Sequence, residues 1–239
     1  MGFEISDQVR ALNAQLQHFM DEHIYPRERE WHEWCHDPEH LWEVPDWYDD
    51  IRDKAKAEGL WNLFLPEEYA PWSPGLTNVE IAPLFETMSK VMWAQSVFNC
   101  NAPDRGNMEV LAKYGTPEQQ EQWLKPLLAG EIRSAYAMTE PQVASSDATN
   151  MELEIRRDGD EYVLNGRKWW TTGAVGPRCK IMLVMGKSNP ENDRHRQHST
   201  ILVPRDTPGV KLVRTLRAFD SLHSPGGEAE LLFEDVRVP

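Results

Sequence analysis

The spacing of apolar residues changes once along the chain, and that change divides it. In the first half Val9, Leu12, Leu16, Phe19 and Met20 recur at three- and four-residue intervals, the period that lines one helix face. Ser6 stands where a side-chain oxygen caps that helix, and Pro26 is expected to end it, since a proline brings no amide donor. Pro45 at a first-turn position and Gly59 as a stop predict a second helix from Pro45 to about Glu58. Thr77-Asn-Val-Glu80 is a capping box that opens a helix running to about Ser89. Thr116-Pro-Glu-Gln119 repeats the device for a helix ending before Gly130, and a further helix is expected over about 104–114.

From Arg133 onward, short runs of β-branched and aromatic residues alternate with turn signals at Asp158-Gly159, Asn165-Gly166, Asn189-Pro190 and Thr207-Pro-Gly209. Glu161–Leu164 and Arg167–Thr171 are expected to pair as a hairpin about Asn165-Gly166, because that dipeptide tolerates the positive φ of a type I′ turn. Further strands are predicted at 181–185, 200–203, 210–214 and 230–233. The fold class is therefore α+β. An N-terminal all-α helical domain, residues 1–132, precedes an antiparallel β domain, residues 133–239. No internal repeat or low-complexity segment interrupts this plan.

Charge follows the same division. The net charge of −14 resides entirely in residues 1–132, with 10 Lys and Arg against 24 Asp and Glu, while residues 133–239 carry 15 of each sign. Such a balance argues against nucleic acid and against an anionic membrane surface as partners. A hydrophobic share of 40 % with 27 % charged residues describes a folded chain and not a disordered one. No apolar run reaches the roughly 20 residues that span a bilayer, and the acidic start does not read as a signal peptide, so a soluble, untargeted chain is expected. Met1-Gly2 with Ser6 matches a myristoylation pattern, but Ser6 as a helix cap explains it better. Cys35, Cys100 and Cys179, odd in number and without a C-x-x-C pair, predict free thiols in a reducing compartment.

P-loop, dinucleotide-binding, zincin and nucleophile-elbow motifs are absent. His32, His36 and His40 repeat every four residues, as three ligands on one helix face would, but Asp37-Pro38 breaks the helix that would align them. Arg194-His195-Arg196, with Lys187 and His198, is a basic cluster whose guanidinium groups match phosphate oxygens; from spacing alone a solvated loop is the favoured reading. Ala135–Asp147 is rich in small and hydroxylated residues, and Lys168-Trp-Trp-Thr-Thr-Gly173 ends a strand with indoles. Together they offer a backbone that a ligand can reach and a flat face for a planar ring.

These stretches carry more when taken in order. Tyr136-Ala-Met-Thr-Glu-Pro141 with Ser146-Asp147, then Asn165-Gly-x-Lys-x-Trp-x-Thr172, then Phe233-Glu-Asp-Val-Arg-Val-Pro239, resemble the acyl-CoA dehydrogenase family. Gly106-Asn-Met-Glu-Val-Leu111 and Tyr114-Gly-Thr-x-Glu-Gln-Gln120 fit it too, so the resemblance covers essentially the whole chain. Thr139-Glu-Pro-Gln-Val-Ala-Ser-Ser-Asp-Ala-Thr-Asn150 resembles the branch whose animal members include fusions to a phosphotransferase-like domain.

The resemblance implies FAD as cofactor and oxidation of an acyl-CoA to the trans-2-enoyl-CoA, the chemistry of fatty acid β-oxidation and lipid metabolism. Tyr136, Ala137, Met138 and Thr139 would offer backbone and hydroxyl contacts to the isoalloxazine ring. Trp170 would pack beside it, with Thr171 next in the strand and Thr172 bonding near N5. Ser145 would lie in the cofactor loop, and Ser146 where flavin and the thioester arm of the substrate meet. Arg194 and Arg196 gain weight as contacts to the CoA phosphates. One departure is Gln142-Val-Ala-Ser-Ser146, one residue longer than the family's usual Gly-x-Gly-Ser.

The family's catalytic glutamate belongs to a C-terminal helical bundle expected beyond Pro239, so this chain alone is expected to be inactive. Glu140 and Asp147 are the acids nearest the motif, and capping or turn roles are expected of them. An electron-transfer flavoprotein is the implied electron acceptor, and a homodimer or homotetramer the implied assembly. An acyl-CoA oxidase portion and a non-catalytic, flavin-binding or interacting remnant are the alternatives. The compartment expected is cytoplasmic for a bacterial source and mitochondrial or peroxisomal for a eukaryotic one.

Overall fold

A computed structural model of the protein describes residues 5–218 and 226–239. The Met1-Gly2 pair of the myristoylation pattern lies outside the described residues. The chain forms two compact units, Met1–His40 with Val44–Gly130 and Leu41–Glu43 with Glu131–Pro239.

The first unit is helical, with α1 (Asp7–Phe19), α2 (Glu28–His36), α3 (Trp47–Ala57), α4 (Asn78–Met88), α5 (Ala94–Val97), α6 (Asp104–Tyr114), α7 (Pro117–Gln119) and α8 (Lys125–Ala129). Ser6 caps α1 by accepting the Val9 amide, and Val9, Leu16, Phe19 and Met20 are buried as the spacing requires. Both capping boxes form: Thr77 and Glu80 open α4, and Thr116 and Gln119 open α7. Each satisfies two amides that a helix start would otherwise leave without partners.

Pro26 does not end the first helix. A π-turn over Met20–Ile24 carries the Tyr25 amide back to the Met20 carbonyl, and Pro26 then sits in the first turn of a 3-10 segment, Tyr25–Arg27. A first-turn position needs no amide donor, so the helical path continues into α2. The α2 helix stops at His36, with Asp37 extended before Pro38. His36 stacks on His32 at 4.1 Å, but His40 stacks on Trp34 at 3.7 Å, so the three histidines do not share one face. All three cysteines are free thiols, and burial pushes the Cys100 thiol up to about 12, which leaves it protonated and inert.

Among the described residues, the second unit is a curled seven-stranded sheet of β1 (Arg133–Ala137), β2 (Glu154–Asp158), β3 (Glu161–Thr172), β4 (Cys179–Lys187), β5 (His198–Pro204), β6 (Val210–Leu216) and β7 (Glu228–Val238). The order is β1-β4-β2-β3-β7-β6, with β5 on β4. The sheet is mixed and not wholly antiparallel: β1 and the start of β2 run parallel to β4. Its core gathers Ala135, Leu153, Ile155, Leu164, Met182, Val184, Val203, Leu231 and Phe233, the inward residues of alternating strands.

The hairpin expected about Asn165-Gly166 is elsewhere. β2 and β3 turn at Gly159-Asp160, where Asp158 pairs with Glu161 and Gly159 has φ 66°. Asn165-Gly166 instead lies within β3, at a shift of register against β7. There the Asn165 side chain accepts the Asp235 amide at 2.8 Å, and a Cβ on Gly166 would stand 2.8 Å from the Leu153 backbone. A bulge and a tight turn ask the same of Asn-Gly, which is why the dipeptide alone does not separate them.

Candidate functional site

Two strand ends meet at the motif. The end of β1 leads into Met138, Thr139 and Glu140, and the end of β3 carries Lys168–Thr172. The Trp169 amide donates to the Thr139 carbonyl at 2.9 Å, and the Lys168 ammonium donates to the Met138 carbonyl at 2.7 Å. The same ammonium reaches Glu140 Oε1 at 2.8 Å, with both side chains essentially removed from solvent. Glu140 also accepts the amides of Glu152 at 2.7 Å and Leu153 at 2.8 Å. Its role is thus an ion-paired anchor for the far end of the loop, and not the helix cap or simple turn expected of it.

A lysine and a glutamate lose hydration on entering the sheet, and such a pair persists only where hydrogen bonds replace the lost water. Here four do. Burial holds the Lys168 pKa below its ordinary value, opposed by the hydrogen bond and charge of Glu140. The residues expected to bind a ligand did not include Lys168. The signal was present: a lysine directly before paired tryptophans, in a strand with apolar inward positions, calls for a buried anion nearby.

Beyond the clamp β3 shifts register again against β7, between Lys168 and Thr171. Trp170 adopts φ 51° and is turned out, with 42 % of its surface exposed. A bulky residue in the left-handed region costs roughly 1–3 kcal/mol. Beside it, Trp169 Nε1 and Thr171 Oγ1 are buried without a hydrogen-bond partner among the described residues. Each such atom costs about 1–3 kcal/mol. Strain, unspent polar groups and an outward indole therefore coincide within three successive residues. A planar group that stacks on the outward indole would offset the strain at Trp170, and an isoalloxazine ring fits that description, whereas Trp169 Nε1 and Thr171 Oγ1 lie beneath the surface and are not offered to it.

The other proposed residues are distributed around this end. Tyr136 is half-buried, its hydroxyl 3.7 Å from Met185 Sδ, whereas Ala137 is fully buried in the sheet core. Ser145 is buried and accepts the Glu140 amide at 2.8 Å, so its hydroxyl braces the lengthened loop from within. Ser146 is exposed. Thr172 donates to the carboxylate of Glu228 across the strand pair, at 3.0 and 2.8 Å.

Asp147 caps the short turn Ala148–Asn150 through the Thr149 amide. It also meets Arg194 at 2.6 Å, while Arg194 Nε donates to the Thr149 hydroxyl. The Thr149 hydroxyl and amide, helped by the Arg194 charge, hold the Asp147 carboxyl below its ordinary range. The basic turn Arg194–Arg196 thereby adjoins the loop of Ser146, and Arg196 is exposed.

Residues 6–131 match the N-terminal domain of acyl-CoA dehydrogenase and residues 135–236 match its middle domain. The chain belongs to the acyl-CoA dehydrogenase family. It is 50 % identical over 240 residues to mouse acyl-CoA dehydrogenase family member 10, covering 98 % of this chain and 22 % of that protein. A probable acyl-CoA dehydrogenase of Mycobacterium tuberculosis, FadE2, is 47 % identical over 243 residues, 100 % of this chain and 58 % of its own length. Among solved structures, that of an acyl-CoA dehydrogenase homologue from Mycobacterium abscessus superposes with a TM-score of 0.93 at 46 % identity. That likeness covers 99 % of this chain and 60 % of the other. The chain thus spans less than two thirds of these relatives.

Proposed function

We propose that the chain forms the flavin and acyl-CoA side of an FAD-dependent acyl-CoA dehydrogenase, which takes an acyl-CoA thioester to its trans-2-enoyl-CoA. The observation that supports this most directly is the end of β3, where Trp170 is held at φ 51° with its indole turned outward beside the Lys168–Glu140 pair. FAD, when bound, supplies the acceptor for the hydride that leaves the β carbon.

The chain's own residues divide the remaining work. Trp170 would pack along the ring, Thr172 would bond near N5, and Tyr136 to Thr139 would present backbone and hydroxyl groups to the ring edge. Lys168 and Glu140 keep both strand ends in register for those contacts. Ser146 stands between cofactor and thioester arm, and Arg194 and Arg196 face the CoA phosphates, with Arg194 held in place by Asp147. Neither acid of the motif serves as the base for the α-proton: Glu140 is spent on Lys168 and two amides, and Asp147 on Thr149 and Arg194. Electrons leave to an electron-transfer flavoprotein.

Titrating the chain with FAD and following the flavin band together with tryptophan quenching tests the reading. W170A is expected to weaken binding about tenfold, the loss of roughly 1.4 kcal/mol of stacking. R194A/R196A is expected to raise the acyl-CoA dissociation constant of the FAD-loaded chain about tenfold while leaving FAD binding unchanged. A chain that takes up no FAD would overturn the reading of the β3 end as the ring site.

A further inference from the structure

Thr172 is the one proposed cofactor contact whose hydroxyl already has a charged partner on the facing strand. Thr172 and Glu228 stand opposite each other in the β3–β7 ladder. The next position outward, Gly173 with Gly227, carries a backbone bond of 2.8 Å from the Gly173 amide to the Gly227 carbonyl. Bonded and non-bonded pairs alternate in an antiparallel ladder, so Thr172 and Glu228 form the non-bonded kind, whose side chains approach most closely. The backbone therefore keeps the hydroxyl at the carboxylate. Its surroundings are equally fixed, since the Gly226 carbonyl accepts the amides of Val175 and Gly176, and Trp42 lies against Gly227.

A hydroxyl owns one proton and two lone pairs, while an ionised carboxylate can only accept. With its proton committed to Glu228, Thr172 Oγ1 can offer a ligand nothing but a lone pair. We infer that Glu228 is a positioning residue that makes Thr172 an acceptor, and so selects for a ligand atom carrying N–H over one carrying a lone pair. The inference rests on the flavin reading above, in which Thr172 lies near N5. Oxidised flavin presents a lone pair at N5, and the ring after taking a hydride there presents N–H. Glu228 thus favours the reduced form through the polarity of one hydroxyl.

The sign makes this testable. Removing a carboxylate near the ring acts oppositely by simple Coulomb attraction, since less negative surroundings favour the more negative, reduced ring. If the effect runs through the hydroxyl, E228A frees Thr172 to donate to oxidised N5 and the reduced form loses. The experiment is the midpoint potential of the FAD-loaded chain, by spectroelectrochemistry, for wild type, E228A, T172V and the double variant. E228A is expected to shift the reduced-to-oxidised ratio about tenfold toward oxidised, which is about 30 mV lower for a two-electron couple. In the T172V background E228A is expected to lower nothing. An unchanged or raised potential in E228A, or an equal fall without Thr172, overturns the inference while leaving the flavin reading intact. A wild-type chain that binds no FAD overturns both. The 15N shift of N5-labelled oxidised flavin gives a second measurement, expected to report a new donated hydrogen bond in E228A and none in the double variant.

Discussion

Each unit of this protein buries one long cation, and the two are handled differently. In the helical unit Arg52 donates to the Gly130 carbonyl at 2.8 Å and to Asp49 at 2.9 Å. Its guanidinium lies 5.1 Å from the Trp61 ring centre and 5.7 Å from that of Tyr48. In the sheet, Lys168 has no aromatic face and depends on Glu140 and the Met138 carbonyl. Arg52 spreads its charge over a planar group that indole solvates well, and its acidic partner remains half in water. Lys168 concentrates its charge where water is excluded, so its one carboxylate must stay with it. The arginine therefore secures the end of a helix, whereas the lysine fixes the two strand ends that frame the candidate ring site.

That contrast is broken most severely by removing one partner of the buried pair. K168M strands Glu140 in the core and is expected to cost about 3–5 kcal/mol, read as the denaturation midpoint of the full chain. K168M/E140Q is expected to regain part of that loss, because the unpaired charge is gone; a double variant no better than the single would show that charge is not what matters at Lys168. R52A is expected to cost less, about 2–3 kcal/mol, from one backbone acceptor left without its donor and lost stacking on Trp61.

G130A sharpens the helical side. Gly130 ends α8 at φ 73°, and a Cβ there would stand 2.2 Å from an Arg52 nitrogen and 2.7 Å from the Trp61 ring. A cost of about 1–2 kcal/mol is expected, smaller in an R52A background because the crowding atom is then absent. Additive losses would mean that backbone strain and the Trp61 contact, and not Arg52, set the cost.

Within the sheet unit, titration separates the buried Lys168 from the exposed Asp147. Burial depresses the Lys168 pKa, so the folded chain holds that proton less firmly than the unfolded chain does. The penalty is present below the folded value and is relieved as pH rises toward 10.5, so the wild-type minus K168M stability difference should climb across that alkaline window. Asp147 gives the opposite and smallest effect. Its contribution is present above 3.8 and is lost as pH falls through its depressed folded value. D147N should flatten that acid slope and lower the denaturation midpoint at neutral pH only by the same small contribution. A large loss at neutral pH would mean that the Asp147–Arg194 contact carries more of the loop's order than an exposed pair should.

The sequence by itself determined what depends on neighbours along the chain. The α1 face, both capping boxes, the left-handed end at Gly130 and the order of helices before strands all follow from spacing within a few residues. So did the motif stretches that resemble the family, because they are contiguous in Ala135–Asp147 and Lys168–Gly173. Tertiary structure decided what depends on which strand lies beside which. Pro26 was read as a stop, yet a π-turn lets the path continue once Ile24 is buried. Asn165-Gly166 became a bulge in one long strand, β1 came to lie parallel to β4, and Glu140 found Lys168 across 28 positions of sequence. A turn signal states only that a backbone can bend, and a lone acid or lysine states only that it will need a partner. The partner is fixed by sheet register, which the packing of both faces sets at once and no short window contains.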